Sequence, residues 1–86
     1  MIFEFDPSKS IANLEKHGID FVQAQALWVD TDYVEIPLST ADEVRSMVIG
    51  KIEGNVWSGI LTYRGESVRI ISVRRSGKEE VAIYES

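Results

Sequence analysis

Residues 44–75, "VRSMVIGKIEGNVWSGILTYRGESVRIISVRR", decide how this chain folds. Three runs rich in β-branched and aromatic residues, 44–52, 56–64 and 67–75, are separated only by "EGN" and "GE". Gaps that short admit hairpins and nothing longer, so the spacing predicts three consecutive antiparallel strands. In the last run Val68 and Ile70 alternate onto one face and Ile71 and Val73 onto the other. That pattern predicts a central strand covered on both sides over its middle.

Working outward, "YVEIPL" (33–38) reads as a further strand, with Pro37 marking a sheet edge or a strand end, and "STADE" (39–43) as a polar loop. At the amino terminus "IFEF" (2–5) alternates apolar and acidic residues and is closed by "DP", a short first strand. Asp6 is a natural helix N-cap and Pro7 the favoured first helical residue, while Ile11 and Leu14 recur at helical spacing. A helix from about Pro7 to His17 follows, with Gly18 as its left-handed cap and Lys16 and His17 in the last turn, where cations meet the negative helix end. Asp20 can cap a second helix over 21–29, with Phe21, Ala24 and Trp28 on one face and Val22, Ala26 and Val29 widening it. "KEEVAIYES" (78–86) predicts a terminal helical turn or two, so the order is β-α-α-β-β-β-β in an α+β class.

Eighty-six residues support one domain, here residues 1–86, and 44% hydrophobic with 27% charged residues is the composition of a chain that folds. Cysteine is absent, which removes disulfides and thiolate metal sites and fits a reducing compartment; cytoplasm is the expectation. No signal-peptide pattern and no membrane-length apolar run occurs. One histidine leaves carboxylates as the remaining metal ligands, and "DTD" (30–32) lacks the rest of a calcium loop, so no metal or other cofactor is expected. "GNVWSG" (54–59) is no phosphate loop, and Trp28 and Trp57 read as core aromatics.

The formal charge is −5, unevenly spread. Residues 20–43 hold Asp20, Asp30, Asp32, Glu35, Asp42 and Glu43 without a basic side chain; residues 64–78 hold Arg64, Arg69, Arg74, Arg75 and Lys78 against Glu66 alone. Strand alternation places Arg69 and Arg75 on one face and Arg74 on the other. A stiffly held guanidinium grips a phosphate through two parallel hydrogen bonds and stabilises charge that builds during cleavage. The plainer alternative is that these arginines pair with Glu79, Glu80 and the acidic segment. His17 has two readings as well: imidazole exchanges protons near neutrality and can take one from a ribose 2′-hydroxyl, or it is simply a helix-terminal cation beside a glycine cap.

Taken together, "FEFDPSKSIANLEKHGIDF" (3–21), "VRSMVIGK" (44–51) and "RIISVRRSGKEEVAIYE" (69–85) resemble the BrnT family of toxins from bacterial type II toxin-antitoxin systems. The resemblance falls on Phe5, Asp6, Lys9, Asn13, Lys16, His17, Gly18 and Phe21, then Arg45, Ile49 and Gly50, then Arg69 to Arg74, Glu79 and Tyr84. It implies a RelE-like fold, an antiparallel sheet packed by two N-terminal helices and a short C-terminal one. It also implies a ribonuclease that cuts RNA without metal, inhibits translation and is neutralised by a BrnA-type antitoxin, touching DNA only through that antitoxin. A homodimer, or a heterotetramer with antitoxin, is the assembly to expect, away from any membrane. On this resemblance His17, Arg64, Arg74 and Arg75 are the candidate catalytic residues, and Lys16, Lys51, Arg69 and Lys78 the candidate RNA contacts. The acidic balance supports a second function class, a non-catalytic toxin-like module that holds a DNA-binding antitoxin or regulator.

Overall fold

A computed structural model describes residues 1–38 and 43–86; most of the expected "STADE" loop, 39–42, lies outside the described residues. Five strands form one sheet: β1 (Ile2–Glu4), β2 (Val34–Leu38), β3 (Arg45–Ile52), β4 (Asn55–Arg64) and β5 (Ser67–Arg75), in the order β1-β5-β4-β3-β2. The α+β class holds. Pro37 sits on the edge strand β2, where a missing N–H costs no ladder bond. The β3–β4 turn uses Glu53 (φ 49°) and Gly54 (φ 86°), the two positive φ values of a type I′ hairpin.

Two expectations about the sheet are corrected. The sheet is mixed, because β1 pairs with β5 in parallel. Hairpins force antiparallel pairing only between chain neighbours, and β1 reaches β5 after the whole intervening chain. Second, β5 does not alternate strictly. Ile60 pairs with Ser72 and Leu61 with Ile70, so Ile71 is an extra residue opposite no partner, a β-bulge. The bulge resets the parity: Val68, Ile70 and Val73 all enter one core, at 2% exposure or less, while Ser72 is exposed. Arg69 and Arg74 therefore share the outer face, and Arg75 falls on the core side, the reverse of the strict alternation.

Helix α1 (Pro7–His17) is capped by Asp6, whose Oδ1 accepts from the Ser8 N–H at 2.9 Å, and ends at Gly18 with φ 80°. The second expected helix is a 3-10 helix, η1 (Gln23–Val29). Asp20 caps its entry, accepting from the Val22 and Gln23 N–H groups at 2.9 and 2.7 Å. The 3-10 period of three explains the apolar pattern: Phe21, Ala24 and Leu27 stand in register and are buried, whereas Val22 and Val29 are exposed. Leu27 takes the core position that an α-helical reading gave to Trp28, which is half-buried edge-on against Phe3. Gly50 makes room for it, since a Cβ there would stand 3.1 Å from Leu27 Cδ2 and 3.2 Å from the Leu27 carbonyl oxygen.

These elements pack onto one face of the sheet, around Phe21, Leu27, Val48, Leu61 and Val73. The terminal helix α2 (Lys78–Glu85) lies on the other face, over β3 and the Arg74 end of β5. Ile49, fully buried yet outside the main cluster, is the outer-face strand residue beneath it.

Candidate functional site

Sheet register defines the outer-face rows. Ile49, Ser58 and Arg74 lie side by side across β3, β4 and β5 at the α2 end. Arg45, Thr62, Arg69 and Glu4 form the corresponding row at the other end. At the α2 end polar groups converge. Arg74 donates from Nη1 and Nη2 to Glu80 Oε1 and Oε2, both at 2.7 Å, and a second Nη1 proton reaches the Arg75 carbonyl at 3.2 Å. Glu80 Oε1 also accepts from the Gly77 N–H at 2.9 Å and from Ser58 Oγ at 3.0 Å. The guanidinium chiefly, against some loss of solvent and helped by the Gly77 and Ser58 donors, holds the Glu80 carboxyl down at about 2. The same hydrogen bond pushes Arg74 further up.

Lys51 stands on this face too, on β3, with its ammonium 5.8 Å from the Tyr84 ring centre. Tyr84 donates to Asp30 Oδ2 at 2.6 Å, and the Lys51 N–H donates to the same oxygen at 2.8 Å. That hydrogen bond raises the Tyr84 phenol to about 12 and lowers the Asp30 carboxyl. Asp30, the residue that ends η1, thus ties α2 to the sheet. Lys78 is the first residue of α2 and exposed.

His17 and Lys16 belong to the opposite layer. One turn before His17, the buried Asn13 bonds both backbone groups of Val73: its Nδ2 donates to the Val73 carbonyl at 2.9 Å and its Oδ1 accepts from the Val73 N–H at 3.2 Å. Asn13 so continues the ladder that the short β1 leaves after Arg69. Gly18, beside His17, lines a cleft of about 310 Å³ with Ile52, Asn55 and Trp57. Arg75 lies over that Trp57 ring, 5.4 Å from its centre.

Arg64 and Arg69 meet at the far end, where both reach Glu4 Oε1, at 3.5 and 3.4 Å. Arg64 pairs with Ser67, seven residues before Arg74, which is roughly 20 Å along a strand. The candidate catalytic residues are therefore distributed. Arg74 is on the outer face, Arg75 and His17 are on the helix side, and Arg64 is at the other end. Of the candidate contacts, Lys51 lies on the outer face with Arg74. Pairing with carboxylates, the plainer reading of the arginines, describes Arg74 with Glu80; for Arg64 and Arg69 the partner is Glu4 rather than the acidic segment.

Sequence reasoning missed Ser58, Asn13 and Asp30 as parts of this frame. For Asn13 no signal existed in the apolar pattern of α1, since Ile11 and Leu14, which carry that pattern, are exposed while Ser10 and Asn13 are buried. For Ser58 none existed either. Among the described residues no three His, Cys, Asp or Glu side chains are grouped so as to hold a metal ion, and no helix is long and apolar enough to cross a membrane.

A family model described as a ribonuclease toxin, BrnT, of type II toxin-antitoxin systems matches residues 5–80. No curated protein matches the chain.

Proposed function

Because the chain belongs to the BrnT family of ribonuclease toxins, whose type II systems pair each toxin with an antitoxin, we propose that it cleaves RNA without a metal ion, so inhibiting translation in the cytoplasm, and that a BrnA-type antitoxin neutralises it. Residues 1–86 act as a single toxin domain. A mixed sheet with helices on one face and a short helix over one end of the other supports a RelE-like classification.

The observation that carries the reading is Arg74: a half-exposed guanidinium on the open side of the sheet, fixed in place, with Lys51 on the same face. In the reaction the ribose O2′ attacks phosphorus as it gives up its proton, the bond from phosphorus to O5′ breaks, and O5′ gains a proton. The products are a 2′,3′-cyclic phosphate and a 5′-hydroxyl, and no water is consumed. Arg74 binds the non-bridging oxygens and offsets the charge that grows on them. Lys51 and Lys78 contact the backbone on the same side, and Arg69 and Arg64 engage a phosphate several nucleotides further along. Lys16, His17 and Arg75, across the sheet, touch RNA away from the scissile phosphate. Nothing ties His17 to the proton transfers on the outer face.

The test is cleavage of a labelled RNA in EDTA and low salt. The account expects cyclic-phosphate ends and a loss of about 100-fold or more in Arg74→Ala. Strict dependence on an added divalent ion would refute metal independence. The second reading, a binding module without catalysis, is favoured by the net charge of −5 and by the carboxylate partners of Arg64, Arg69 and Arg74. It predicts intact RNA under the same conditions alongside tight antitoxin binding.

A further inference from the structure

Glu80 carries more of the architecture around Arg74 than an ordinary surface ion-pair partner does. Its side chain is 18% exposed against 45% for Arg74, and it accepts four hydrogen bonds. Ser58, 1% exposed, has one hydroxyl proton and gives it to Glu80. The Ser76 hydroxyl, 2.7 Å from Ser58 Oγ, must then be the donor of that contact. The carboxylate is held from the strand by Ser58, from the loop by Gly77 and from the guanidinium itself.

A carboxylate on both terminal nitrogens would ordinarily mark an arginine as already used. The proton count says otherwise. A guanidinium has five N–H groups. Two go to Glu80 and one to the Arg75 carbonyl. The Nε proton and the outward Nη2 proton remain; they are parallel along one edge, and among the described residues no acceptor meets them. Two parallel donors on one edge match the two non-bridging oxygens of a phosphodiester.

We propose that Glu80 is a positioning residue, clamping the terminal edge of Arg74 so that the side edge stands ready as a fork for one RNA phosphate, with Ser58, Ser76 and Gly77 fixing the clamp. The inference rests on the assignment of Arg74 as the phosphate ligand. It makes the ion pair a part of the site and not a competitor for it. Orientation set before binding acts on the chemical step, so its loss falls on kcat more than on KM.

The experiment is a double-mutant cycle on RNA cleavage. Glu80→Gln keeps an acceptor for Gly77 and Ser58 but loses the charged two-oxygen grip, and Glu80→Asp keeps the charge but shortens the reach. Both are expected to lower kcat about tenfold or more while KM moves less than about threefold. In an Arg74→Ala background the same changes are expected to have no effect. Ser58→Ala, which leaves the helix cap intact, is expected to lower kcat about threefold, and it carries the test if a Glu80 variant fails to fold by circular dichroism. Wild-type or faster cleavage by Glu80→Gln, with Arg74→Ala inactive, overturns the clamp and leaves Arg74 its role. Undiminished cleavage by Arg74→Ala overturns the assignment of Arg74 itself.

Discussion

Asn13 shows how one side chain can stand in for a strand. Its carboxamide bonds the Val73 N–H and carbonyl and also donates to the Ile19 carbonyl at 2.7 Å, all within the buried interior. Asn13→Ala would leave those backbone groups without partners, a loss of about 3 kcal/mol in a urea titration. Asn13→Asp cannot donate, so it should fare no better. Glu80 has a pH signature. Its carboxyl ordinarily titrates near 4.5 and is held at about 2 in the folded chain. A depressed carboxyl contributes stability that is full above the unfolded value and fades as pH falls towards the folded one. Between about pH 5 and about pH 2.5 the protein should therefore lose stability, and Glu80→Gln should lose less over that window, read from melting at each pH. Asn13 was legible as part of a family pattern, and its bonds to Val73 were not, because those backbone groups lie sixty residues away in the chain.

At the scale of elements, the hairpins and α1 were plain in the residue order because both are local: two-residue turns and an Asp-Pro start need only neighbours. The bulge at Ile71 was not. Its neighbours Ile70 and Val73 are as apolar as itself, so composition cannot say which residue is skipped, and one skipped residue exchanges the faces of all that follow. That displacement put Arg74, and not Arg75, on the outer face with Arg69. The 3-10 period of η1 was likewise hidden, since "FVQAQALWV" serves spacings of three and four equally well. The β3–β4 turn leaves room for improvement. Glu53 holds φ 49°, which costs a residue with a Cβ and suits Asn better. Glu53→Asn is expected to stabilise by about 0.5–1 kcal/mol, measured as a raised melting temperature. Unchanged or lower stability would show that Glu53 makes compensating contacts.

For the whole molecule, the question is how an acidic protein handles a polyanion. Net charge is a property of the surface sum, whereas a phosphate meets a few groups. Here the sheet separates two layers: His17, Arg75 and the Trp57 cleft on one side, and Arg74, Lys51 and α2 on the other. The sequence named each of these basic residues but could not sort them, since the sorting depends on the bulge and on where α2 docks. Phosphate contacts through these side chains predict binding that weakens as salt rises, in proportion to the number of phosphates engaged. The most direct measurement is an NMR titration of the protein with an RNA oligonucleotide blocked by a single 2′-deoxy substitution at the cleavage site. The account predicts that the Arg74 Nε–H resonance shifts and saturates first, with smaller and later shifts at the Trp57 indole and the His17 ring. Shifts confined to Trp57, Arg75 and His17, with Arg74 unmoved, would contradict it.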